Sequence, residues 1–155
     1  MKALNKFEQA DKYGQQLIKP TLQKMFGSCT LIFDEEREST DECDLYFTAI
    51  TNTQQVSYRV ECKHRSYPST QFENWILEKN KHDKLQDEYE KGNRTYYLNS
   101  FSDGKLAIWQ IGGKRYEDWF YQSLPWHSVK DDGKKQKLIH NLSLKDAVVV
   151  CNIIN

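Results

Sequence analysis

Asp44, Glu61 and Lys63 have the residue types and spacing to do chemistry together. Asp44 lies in ECDLYFTAI (42–50), and Glu61 and Lys63 lie in QVSYRVECKHR (55–65). Both segments alternate apolar with polar residues and are rich in aromatic and β-branched types, so each reads as a half-buried strand. The short polar TNTQ (51–54) between them predicts an antiparallel hairpin. Folded about Asn52 and Thr53, the hairpin pairs Leu45 with Val60, Phe47 with Tyr58, Ala49 with Val56 and Cys43 with Cys62, a wholly apolar face. Its other face pairs Thr48 with Ser57, Tyr46 with Arg59, and Asp44 with Glu61. A slip of one residue would turn the apolar set to water, which specifies the register. Two carboxylates set directly opposite repel unless a proton or a cation lies between them, so the pattern predicts a metal site.

Along a strand, Glu61 and Lys63 share a face while Cys62 points to the core. Oxygen ligands with no matching His or Cys cluster suit Mg²⁺, or Mn²⁺, better than zinc. Such an ion could polarise a phosphodiester and lower the pKa of an attacking water. Lys63 could then stabilise the developing charge or orient that water. Tyr46 and Arg59, beside the carboxylates on the same face, are candidates for substrate contact. Arg65, just beyond the strand, could track a phosphate backbone.

At Asp44 and the Glu61-Cys62-Lys63 triplet the chain resembles the PD-(D/E)XK nuclease superfamily, the restriction-endonuclease-like or Holliday-junction-resolvase-like fold. Cys43 stands where the motif has a proline. The resemblance covers roughly residues 5–112. It implies an α/β fold with an α-β-β-β-α-β core, a mixed sheet flanked by helices. Residues 113–155 would form a small β-rich C-terminal extension of a single domain spanning 1–155. It also implies that Asp44 and Glu61 ligate Mg²⁺ or Mn²⁺ and that Lys63 is catalytic, in an Mg²⁺-dependent endonuclease that hydrolyses DNA. Branched, phage or repair-related DNA falls within that substrate class. A homodimer is implied in the same way, because many nucleases of this fold cut two strands as dimers.

Related nucleases often carry an acid on the first helix, a place that Glu8 occupies, although an exposed helix glutamate explains it as well. Glu78 and Lys81, one turn apart on an expected second helix, could face the site or form an i,i+3 pair on a solvated face. The alternative function is a non-catalytic nucleic-acid- or protein-binding module of the same fold.

The elements that must position these residues follow from periodicity. Phe7, Ala10, Tyr13, Gly14, Leu17, Leu22, Met25 and Phe26 predict a helix over 5–26, kinked or restarted at Pro20 and closed by Gly27. CTLIFDEE (29–36) predicts the first strand. Thr70 and Glu73 read as a capping box opening a helix through Phe72, Trp75, Ile76, Leu85 and Tyr89 that Gly92 ends. RTYYLNSF (94–101) and KLAIWQI (105–111) predict two strands joined at Ser102-Asp103-Gly104. YEDWFYQSLPW (116–126) reads as a short helix or an aromatic interface. Residues 126–142 read as a hairpin turned at Asp132-Gly133. Ser143 to Asp146 reads as a cap of a short final helix, or AVVVCNII (147–154) as a strand, with a short cap before irregular structure favoured.

At 155 residues the chain is long enough for a core without staples. With 38% hydrophobic and 28% charged residues it falls in the globular class rather than the disordered one. The balance of 22 basic and 22 acidic residues counts against a non-specific nucleic-acid binder with a strongly basic field, though basic residues can still cluster on one face of a nuclease. Cys29, Cys43, Cys62 and Cys151 lack C-x-x-C spacing and read as buried thiols of a reducing compartment. His64, His82, His127 and His140 lack zinc-ligand spacing. With neither a signal-type apolar run nor a spanning stretch, the expectation is a cytoplasmic protein with no membrane partner.

Overall fold

The computed structural model describes residues 6–35, 45–127 and 130–153, with side chains described for 16–35, 45–124 and 135–153. Helix α1 (Lys6–Met25) passes through Pro20 without interruption. Its described inward residues are Ile18, Thr21 and Leu22, all buried. Gly27, at φ +57°, turns the chain out of the helix in the left-handed region. Strands β1 (Thr30–Phe33), β2 (Leu45–Ile50) and β3 (Gln55–His64) then form an antiparallel meander.

The β2–β3 register is the predicted one. Leu45 faces Val60, Tyr46 faces Arg59, Phe47 faces Tyr58, and the ladder continues to Ile50 opposite Gln55. Its apolar face meets α1 in a core of Ile18, Leu22, Leu45, Phe47, Tyr58 and Val60, among others. Phe47 stacks on Tyr58 at a centroid distance of 5.0 Å, and Phe26 caps both rings edge-on at 5.7 and 5.1 Å. Such ring pairs add about 0.5–1.5 kcal/mol each beyond the area they bury.

After β3 the chain departs from expectation. Residues 74–78 are not the start of a helix but a strand, β4 (Asn74–Glu78), and the helix α2 occupies only Lys79–Glu90. The burial of β4 alternates, with Trp75 and Leu77 inward, and the strand pairs antiparallel with β8 (Lys130–Ser143) from Asn74↔Ser143 to Glu78↔Ile139. The i,i+3 and i,i+4 spacing of Phe72, Trp75 and Ile76 mimics a helix, but pairing with a distant strand overrides it. Thr70 and Glu73 therefore cap nothing; Gln71 N–H donates to the Pro68 carbonyl in a turn, and the residue before α2 is Glu78, whose side chain makes no capping bond.

Strand β5 (Arg94–Ser100) lies parallel to β3, and β6 (Lys105–Gln110) returns antiparallel to β5. A parallel neighbour requires a crossover, which β4 and α2 supply. After a 3₁₀ turn at Leu144–Asp146, β9 (Val149–Asn152) pairs with β6, so the strand alternative holds there and the favoured irregular structure does not. The result is a six-stranded mixed sheet in the order β1-β2-β3-β5-β6-β9. A second sheet of order β4-β8-β7 includes β7 (Phe120–His127), so 120–127 is a strand and not a helix. The expected C-terminal hairpin exists as β7–β8, but Asp132 and Gly133 lie inside β8 rather than at its turn.

The fold is thus α/β, with α1 on one face of the large sheet. On the other face β4, α2 and β8 enclose a second core that includes Trp75, Leu77, Leu85, Tyr97, Trp109 and Leu142. Among the described residues no helix is long and apolar enough to cross a membrane.

Candidate active site on the buried face of the sheet

Strand β3 sends Tyr58, Val60 and Cys62 toward α1, so alternation sends Arg59, Glu61 and Lys63 to the face covered by α2 and β4. Across the parallel ladder Arg59 neighbours Thr95, Glu61 neighbours Tyr97, and Lys63 neighbours Asn99. This half of the site is therefore built by two adjacent strands whose side chains stand side by side.

Glu61 is 7% exposed. From the first turn of α2, Lys81 extends its Nζ to 3.0 Å from Glu61 Oε1. Burial pushes the Glu61 carboxyl above its ordinary range, Lys81 and then Lys63 pull it back, and Glu78 pushes it up again. Glu78, the last residue of β4, is itself held by Lys137 of β8, Nζ to Oε1 at 2.7 Å. The arrangement is a buried carboxylate ringed by cations, with a second carboxylate close enough to be felt.

The neighbouring arginines are held by other groups. Arg59 is 5% exposed, stacks over the Tyr46 ring at 4.7 Å and lies 3.8 Å from Glu88 Oε1. Arg65 donates through Nη2 to the Ile76 carbonyl at 2.9 Å and to the Tyr97 hydroxyl at 3.2 Å, and through Nε to Asn99 Oδ1. It thereby ties the end of β3 to β5 and β4. Asn99 is fully buried, and its Nδ2 has no hydrogen-bond partner among the described residues.

Of the predicted site residues, the structure brings Glu61, Lys63, Glu78 and Lys81 together, with Tyr46 and Arg59 two positions along the same face. Asp44 lies outside the described residues. Glu8 is in α1, whose buried residues pack on the opposite face of the sheet, and its side chain is likewise outside the described set. Lys137, Tyr97 and Asn99 join the site from segments readable as strands but not as parts of the site; only pairing of β3 with β5 and of β4 with β8 brings them in.

Among the described residues no group of three or more His, Cys, Asp or Glu side chains is arranged to hold a metal ion. Among the described residues the carboxylates at the site are Glu61, paired with Lys81, and Glu78, paired with Lys137, and magnesium is commonly held by one or two carboxylates. A cavity of about 260 Å³ lies on the other face, against α1, lined by apolar side chains that include Leu22, Phe26, Val60 and Leu98; it contains none of this chemistry.

No protein-family model, no curated protein and no solved structure matches the chain.

Proposed function

We propose that this protein is a metal-dependent nuclease that hydrolyses phosphodiester bonds in DNA, with a core of the restriction-endonuclease-like type. The observation that carries the reading is Glu61, a buried carboxylate on a central strand, flanked by Lys63 on its own strand and by Lys81 from the crossover helix. A chain that placed charge there for stability alone would be better served by an apolar side chain.

Two further observations support the core type. The order α1, β1, β2, β3, crossover helix, β5, with β3 and β5 parallel, follows the α-β-β-β-α-β pattern with one added strand, β4, before the helix. The register of β2 with β3 matches the one from which the acidic pair was inferred.

In this reading Asp44, next in sequence to Leu45, joins Glu61 as the second carboxylate. Bound there, Mg²⁺ or Mn²⁺ would supply Lewis-acid activation of the scissile phosphate and of water. Lys63 stabilises charge that builds on the phosphate oxygens. Tyr97 and Asn99 stand beside Glu61 and Lys63 on the neighbouring strand, and Arg65 hydrogen-bonds to both.

The test is cleavage of linear, nicked, branched and single-stranded DNA with Mg²⁺ or Mn²⁺, using the wild type, Lys63→Ala and Asp44→Asn. The expected result is metal-dependent cutting that falls by about 100-fold or more in each variant, the scale of losing one group that stabilises transition-state charge. Cleavage that persists in both variants would place the activity elsewhere.

A further inference from the structure

We propose that the cavity between the end of α1 and the large sheet binds a small amphipathic carboxylate, its apolar body against the aromatic wall and its head group at Arg94. The site lies on the opposite face of the sheet from Glu61 and does not depend on the nuclease reading.

The cavity follows from the proportions of the fold. A helix about 10 Å across roofs about two strands spaced about 4.8 Å apart, whereas the large sheet is six strands wide. Among the described residues α1 is the helix on this face; it packs against β3 and stops at Met25, where Gly27 turns the chain away. Beside that end, Leu98 of β5, Ile108 of β6 and Val149 of β9 join Phe26, Tyr58 and Tyr96 in lining a cavity of about 260 Å³. Phe47, Val60, Leu98 and Ile108 are buried and form its floor. Met25, 38% exposed, and Val148, 51% exposed, mark its mouth.

Size and lining set the body of the ligand. An apolar cavity of about 150 Å³ takes up benzene, so this larger one has room for a bicyclic ring or a chain of about eight carbons. Among the lining residues only Tyr58 and Tyr96 carry a side-chain oxygen, so water finds few partners there and an apolar group displaces it readily. Phe26 stands edge-on to Tyr58 at 5.1 Å, while Tyr58 and Tyr96 lie 24° from parallel with centroids 6.1 Å apart. These rings offer both edges and faces to a flat or extended apolar body.

The rim sets the head group. Alternation along β5 places Arg94, Tyr96 and Leu98 on the cavity's face, with Arg94 opposite Tyr58 in the ladder. Arg94 is exposed, and Tyr96 is half-buried. Burial and then Tyr58 push the Tyr96 hydroxyl above its ordinary value while the Arg94 charge draws it down, so these polar groups act on one another at the edge of the apolar wall. A carboxylate matches the guanidinium fork and accepts hydrogen bonds from hydroxyls. A cationic head would be repelled there, and a neutral one would gain nothing from the charge.

Calorimetry and the shift in thermal unfolding midpoint of the full chain test this with octanoate and 2-naphthoate, and with the neutral 1-octanol and 2-naphthalenemethanol. The proteins are wild type, Arg94→Gln, Val149→Phe and Val148→Trp. Wild type is expected to bind one carboxylate per chain with a raised midpoint, the tighter of the two showing whether the body is a chain or a ring. Arg94→Gln should weaken both carboxylates roughly fivefold, the scale of an exposed ion pair, and leave the neutral alcohols unchanged. Val149→Phe, which fills the cavity, should abolish binding of all four probes. If it fails to fold, Val148→Trp, which covers the mouth from an exposed position, carries the same test. No binding of either carboxylate to wild type, a lowered midpoint, or undiminished binding in a folded cavity variant would overturn the site. Carboxylates held equally by Arg94→Gln and wild type would overturn the head-group assignment and the proposal with it.

Discussion

Glu61 is the residue on which structure and chemistry disagree most usefully. Its burial costs stability that Lys81 and Lys63 only partly return, since the carboxyl remains raised above its ordinary range. Replacing it by the neutral isostere tests that balance: Glu61→Gln is expected to raise the unfolding midpoint of the protein at pH 7. Lys81, one-third exposed, can turn to water in that variant. A lowered midpoint would mean that the Glu61–Lys81 pair is a structural brace rather than a functional charge. Glu61 and Lys63 were legible as neighbours on one strand face because residue type and strand alternation are local properties; Asp44, expected beside them, lies outside the described residues. Lys81 could be suspected from its position on a helix, but its contact with Glu61 could not. Lys137 could not be suspected at all, being 59 positions from Glu78 in sequence and brought to it by β8.

At the scale of elements, the crossover between β3 and β5 decides the geometry of the site, because it delivers both Glu78 and Lys81. Its first segment is pinned to the β5–β6 turn. Arg65 N–H donates to the Ser100 carbonyl at 2.7 Å, Ser102 N–H donates to the Tyr67 carbonyl at 3.0 Å, and Asp103 Oδ2 accepts from Ser69 N–H at 3.0 Å and from its hydroxyl at 2.6 Å. The Ser69 hydroxyl, more than any other group, holds the Asp103 carboxyl below its ordinary value of 3.8. A carboxyl depressed in the folded state stabilises the fold above its unfolded pKa, and the contribution disappears as pH falls through the folded value. Asp103→Asn should thus lower the unfolding midpoint at pH 7, with the difference from wild type shrinking below pH 3.8. Equal midpoints at pH 7 would show that the clamp does not hold the crossover. The sequence placed a helix where β4 begins, since WILE fits both periods over so short a run and only the β8 ladder distinguishes them.

At the scale of the molecule, 22 basic and 22 acidic residues leave no net field to draw in nucleic acid. On the proposed nuclease reading, DNA binding rests on a few local contacts, with Lys63 and Lys81 the nearest to the carboxylate. The logarithm of affinity should fall with the logarithm of salt with a slope of only about −2 to −4, the counterion release of a handful of phosphate contacts. Titrations of labelled duplex from low to moderate salt check this, and a much steeper slope would reveal a larger basic surface than these residues form. The apolar alternation of β2 and β3, the helical span of α1 and the turn at Ser102-Asp103-Gly104 were readable in the chain alone, because each depends on neighbours within one element; the buried face of α1 was not, since Ile18 and Thr21 are buried and Met25 is 38% exposed. The partners of β4 and β9, the parallel seat of β5 beside β3, and the meeting of Lys81 with Glu61 were not. Those depend on which distant segment buries which face. A periodic pattern announces that a face must be covered, and only the folded chain chooses what covers it.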